Sequence, residues 1–68
     1  MKYLHVNTRG AWRELISFDE RKDGLMARNA ATNLGLASAH KISFRIVEDG
    51  TVAEYADGPD FKWMEVKK

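Results

Sequence analysis

The stretch Ile42-Ser43-Phe44-Arg45-Ile46-Val47, then Glu48-Asp49-Gly50-Thr51, then Val52-Ala53-Glu54-Tyr55-Ala56, then Asp57-Gly58-Pro59-Asp60, decides the fold. Apolar and polar residues alternate with a period of two in the first and third segments, and the segments between them carry the Asp-Gly and Gly-Pro chemistry of tight turns. With Phe61 to Val66 behind the second turn, the segment Lys41 to Val66 reads as three short antiparallel strands. An Asp49-Gly50 type I′ turn would set Ile46 opposite Ala53 and Phe44 opposite Tyr55 on an apolar inner face, with Arg45 opposite Glu54 and Val47 opposite Val52 outside. Carried through the second turn, that register places Tyr55 against Phe61 and Ala53 against Trp63. Pro59 falls in the turn, where its missing N–H costs no ladder bond.

Upstream, Met1 to Phe18 holds two more strands. A three-residue loop Thr8-Arg9-Gly10, with Gly10 in the left-handed region, pairs Val6 with Trp12 and gathers Leu4, Val6, Trp12, Ile16 and Phe18 on the core face. Glu14 is then an odd polar member of that face. Between the hairpins, one helix is predicted from Asp19 or Asp23 to somewhere in Gly35 to Ala39. Either aspartate can cap it, Met26, Ala27, Ala30, Ala31 and Leu34 form its buried stripe, and Gly35 is a candidate C-terminal cap. The expected fold is α+β: a single domain over residues 1–68, β-β-α-β-β-β, with the helix on one face of a five-stranded antiparallel sheet. Strand order 2-1-3-4-5 would make every neighbouring pair antiparallel.

Composition narrows the function classes. Sixty-eight residues bury only about 60% of the unfolded chain's surface, and with no cysteine neither disulfides nor a thiolate zinc site can reinforce so small a core. No apolar run reaches the roughly 20 residues that span a bilayer, and Met1 to Val6 is too polar for a signal peptide, so a cytoplasmic protein with no membrane partner is expected. The formal charge of +1 is far from the basic excess of a protein that grips a phosphate backbone. Acids Glu48, Asp49, Glu54, Asp57 and Asp60 occupy a span with no Lys or Arg, which turn geometry accounts for at Asp49, Asp57 and Asp60.

The residues assigned to the uncovered sheet face are the candidate binding site: Tyr3, His5, Arg13, Arg45, Val47, Val52, Glu54, Lys62 and Met64, with Leu15 and Val66 beside them. A purely solvated face would be mostly polar; this one mixes aliphatic, aromatic and cationic side chains as protein-binding surfaces do. No catalytic residues are expected. His5 and His40 stand alone without the partners a metal site needs, the serines lack a nucleophile motif, and no glycine-rich loop separates a strand from a helix. Glu14 and Glu54 are the nearest thing to a carboxylate pair, and nothing activates them. No metal and no cofactor are expected.

From Phe18 onward, the alanine-rich helix, the strand Ile42 to Val47, the turn Glu48-Asp49-Gly50, the strand Val52 to Tyr55 and a last strand containing Trp63 together resemble small phage and prophage proteins, some anti-CRISPR inhibitors among them. The resemblance is one of layout. It implies a stoichiometric inhibitor that binds a host protein or nucleoprotein complex, and it assigns no functional residue. The sequence therefore predicts a non-enzymatic protein-interaction module. Its rival is a small single-stranded nucleic-acid binder using the same face, disfavoured because Tyr3 is the one stacking ring assigned there. The same face also admits a homodimer.

Overall fold

A computed structural model describes residues 1–66. Along the chain it contains β1 (Lys2–Thr8), β2 (Ala11–Phe18), α1 (Glu20–Ala37), β3 (Ser43–Glu48), β4 (Thr51–Asp57) and β5 (Met64–Glu65). The strands form one antiparallel sheet in the order β2-β1-β3-β4-β5, with α1 on one face, so the fold class and strand order are those expected.

Asp19 opens the helix: its carboxylate accepts a hydrogen bond from the Arg21 N–H at 3.0 Å, and Glu20 and Asp23 in the first turn meet the positive end of the helix dipole. The buried stripe is Gly24, Ala27, Ala31 and Gly35; Met26, predicted inside, is 71% exposed. Gly35 lies within the helix rather than capping it. The C-cap is Ser38, whose N–H bonds the Gly35 carbonyl at 3.2 Å. Small residues along this stripe let the helix axis approach the sheet, and at Gly35 the approach is filled by the Phe61 ring, with atoms 2.6 to 2.8 Å from where a Cβ would stand. Beneath lie Leu4, Val6, Phe18, Ile42, Phe44, Ile46 and Ala56, with Phe44 and Ile46 sealed from solvent.

Two registers differ from strict alternation, each through a β-bulge. Arg9 (φ 56°) and Gly10 (φ 84°) form a two-residue turn in place of the expected three-residue loop. Val6 then pairs with Arg13 and Asn7 with Trp12, until an extra residue at Leu15 restores Leu4 opposite Ile16. Trp12 and Glu14 consequently leave the predicted core face for the open one. Arg13 and Leu15, predicted outside, join the helix side. In the second hairpin Asp49 (φ 52°) and Gly50 (φ 75°) make the expected turn, and Val47 pairs with Val52. A bulge at Ala53 then sets Ile46 opposite Glu54, Arg45 opposite Tyr55 and Phe44 opposite Ala56, exchanging the faces predicted for Glu54 and Tyr55.

The last strand is shorter than expected. β5 pairs Met64 with Tyr55 and Glu65 with Glu54, while Phe61 (φ 52°) turns inward ahead of it to meet Phe44 edge to face at 6.0 Å between ring centres. Thr32 fixes this corner by donating its hydroxyl to the Phe61 carbonyl at 3.0 Å. Trp63 packs against the core from beside α1, and its indole N–H bonds the Arg28 carbonyl at 3.1 Å.

Candidate functional site

With one face under the helix, the opposite face of the sheet is covered by no element among the described residues, and the strand registers fix what it displays. Directly opposed residues of an antiparallel pair share a face, so Glu14, His5, Arg45, Tyr55 and Met64 form a row across all five strands. A second row runs Ser17, Tyr3, Val47 and Val52, and a third Trp12, Asn7, Ser43 and Asp57.

Arg45 holds the centre. Its guanidinium lies 4.2 Å from the centre of the Trp12 ring, and its Nε–H donates to His5 Nδ1 at 3.2 Å. The ring's negative face attracts the cation, and the planar fork of arginine suits stacking in a way a lysine ammonium does not. Both flanking rings stay open to solvent: Trp12 is 38% and Tyr55 37% exposed, with Tyr3 close to them and Met64 more open. The sequence-predicted residues Tyr3, His5, Arg45, Val47, Val52 and Met64 are thus brought together. Arg13, Glu54 and Lys62 are not. Arg13 shares the helix side with Val6, Lys62 is exposed in the segment ahead of β5, and Glu54 points toward α1.

Glu54 has a structural task there. Arg28 from α1 bonds it through Nε at 3.0 Å and through Nη2, bonds Glu20 through both terminal nitrogens at 2.7 and 2.6 Å, and reaches the Gly24 carbonyl at 3.0 Å. Lys2 completes the cluster with a 2.7 Å bond to Glu20. Hydrogen bonds first from Arg28 and then from Lys2 hold the Glu20 carboxyl at about 2, and Glu20 in turn is the main cause of the upward shift of Arg28. The four charges clamp β1, α1 and β4 together, and Gly24 makes room for them: a Cβ there would fall 1.7 Å from Glu20 Oε2.

Trp12 and Tyr55 are the site residues that sequence reasoning missed. A signal was present in the consecutive apolar pairs Leu15-Ile16 and Val52-Ala53, where a strand that must keep one face apolar needs an extra residue to do so. Among the described residues no group of three or more His, Cys, Asp or Glu side chains is placed to hold a metal, and no helix is long and apolar enough to cross a membrane. Compared with family models, curated proteins and solved structures, the chain matches none.

Proposed function

We propose that the chain is a non-enzymatic protein-interaction module whose open sheet face docks on a partner protein. The observation that carries this reading is the exposed set Tyr3, Trp12, Tyr55 and Met64 arranged around Arg45. Trp, Tyr, Met and Arg are the residues enriched in the cores of protein interfaces, and a guanidinium already stacked and hydrogen-bonded is held in place before the partner arrives. Docked there, the module acts by covering a surface, which is how an inhibitor of a host protein or nucleoprotein complex, the role suggested by the phage-like layout, would work.

The two additional rings also strengthen the nucleic-acid reading, since exposed aromatics on a sheet can stack unpaired bases. Charge argues against it. Arg45 is the one arginine or lysine in the three rows, it is committed to Trp12 and His5, and Glu14 and Asp57 stand on the same face, whereas a backbone-tracking groove needs several free cations.

The test combines three variants with capture of the partner before and after nuclease treatment. Trp12→Ala and Arg45→Glu are each expected to weaken retention of a protein partner by about tenfold or more, while Asp57→Lys, which adds a cation to the same face, separates the protein reading from the nucleic-acid one. A partner that binds both face variants as it binds the unaltered chain overturns the proposal. Saturable binding of a labelled single-stranded oligonucleotide, weakening steeply with salt and strengthened by Asp57→Lys, overturns it in favour of the nucleic-acid reading.

A further inference from the structure

The helix side of the sheet is only partly covered. A helix about 10–12 Å across spans little more than two strands at their ~4.8 Å spacing, and α1 lies over Leu4 and Val6 of β1, Phe44 and Ile46 of β3 and Ala56 of β4. Beyond it on the β5 side, Phe61 and Trp63 fill the remaining width. On the β2 side Phe18, next to the start of α1, is buried, and among the described residues nothing covers the rest of the strand. Seven of the eight β2 residues are exposed, and the bulge turns Leu15 and Ile16 together toward this bare strip. The near flank of α1 contributes Leu34, itself 52% exposed, and Ala37; these two with Val6, Leu15 and Ile42 line a groove of about 560 Å³.

We propose that this groove seats a second helix, supplied by a partner protein, amphipathic, antiparallel to α1 and acidic in its first turn. The width argues for the shape: a five-stranded sheet has room for two helices side by side, and packed helices sit about 8–10 Å apart. The charge argues for the sequence. Arg9, His40 and Lys41 border the groove at the C-terminal end of α1, and no Asp or Glu lines it. The helix carries no basic residue in its own last turn, so part of this positive charge complements its dipole, but the dipole amounts to roughly half a charge against two full ones on Arg9 and Lys41 alone. An antiparallel helix would bring its N-terminal turn, where Asp and Glu are favoured, beside these cations, and its apolar stripe onto Leu15 and Leu34. This surface lies on the side opposite Trp12 and Arg45 and stands or falls independently of the docking proposed for them.

The experiment titrates the full isotope-labelled chain with a synthetic amphipathic peptide of about 18 residues, leucines at helical spacing and glutamates in its first turn, and with its counterpart carrying lysine for each glutamate. Saturable binding of the acidic peptide, with resonance shifts at Leu15, Leu34 and Lys41, is expected, and the basic peptide should bind at least about tenfold more weakly. Leu34→Asp and, separately, Lys41→Glu should each weaken the acidic peptide about tenfold; both positions are exposed, and circular dichroism checks that the fold persists. Trp12→Ala should leave the affinity unchanged. The proposal is overturned by an absence of saturable binding at millimolar peptide, by equal affinity for the two peptides, or by shifts confined to Tyr55 and Met64. A concentration-dependent dimer of the free chain that Leu34→Asp dissolves also overturns it, because the occupant is then a second copy.

Discussion

Gly35 shows how a single hydrogen atom can be a packing element. At an exposed helical position, replacing glycine with alanine stabilises by roughly 0.8–1 kcal/mol, but here the added methyl would lie 2.6 to 2.8 Å from the Phe61 ring. The ring cannot yield easily, being held by the Phe44 edge contact and by the Thr32 bond to its own backbone. Gly35→Ala is therefore expected to destabilise by about 1–3 kcal/mol, the range for overpacked cores, and a urea denaturation series measures it. A melt at or above that of the unaltered chain would show that the corner at Phe61 is loose. The sequence offered Gly35 as a helix end because glycine most often means that; that it instead accommodates an aromatic ring depends on a residue 26 positions later, which no local pattern reveals. Trp12 is the complementary lesson. Size and apolarity assign an indole to the core, but its exposure here follows from a one-residue difference in loop length.

At the scale of elements, the two hairpin turns differ in how well their residues suit them. Both place their first residue at positive φ, Arg9 at 56° and Asp49 at 52°; aspartate tolerates the left-handed region and arginine does so poorly. Arg9→Asn is expected to raise stability by a few tenths to about 1 kcal/mol, read as a higher thermal midpoint. Gly50→Val, in the second turn, is expected to cost far more than Asp49→Asn, because a β-branched side chain cannot sit at φ 75° without strain. Equal losses for the second pair would reject the turn type. The Asp49-Gly50 turn and the helix, with Asp19 one of the two caps offered, were legible from short-range chemistry, and the strand order followed only from supposing β1 beside β3, which makes every neighbouring pair antiparallel. The bulges at Leu15 and Ala53 were not placed, because period-two alternation has no term for an extra residue. Their physical cause is plain afterwards: on β4 the bulge delivers Glu54 to Arg28 and leaves Ala56 under the helix, an ion cluster and a buried contact that uninterrupted alternation would have lost.

For the whole molecule, a folded chain of 7.8 kDa would expose about 4,400 Å², and this one exposes 5078 Å². The excess is of the order of one partner's share of a standard protein interface, about 800 Å², consistent with a fold that leaves one sheet face and the β2 flank uncovered. The Lys2, Glu20, Arg28 and Glu54 cluster gives the fold a pH signature. The Glu20 carboxyl is held at about 2 against an ordinary 4.5, so its contribution is complete above pH 4.5 and is lost as the pH falls through about 2. With the side chain 38% exposed, solvent screening keeps that contribution near ~1 kcal/mol. Glu20→Gln should flatten stability between those limits, followed by denaturation at a series of pH values; an unchanged slope would place the acid sensitivity elsewhere. The same sheet order constrains how the chain gets there. β1 is paired on both sides, with β2 after a two-residue turn and with β3 only after some forty residues, as His5 meets Arg45. On a ribosome the first hairpin emerges early with the β3 side of β1 bare, and loop closure must bring β3 back across the intervening helix before the core can exist. A nascent chain that has emerged only as far as the connection between α1 and β3 leaves the β3 edge of β1 unpaired, and that edge is open to capture by a chaperone or to strand pairing with a neighbour.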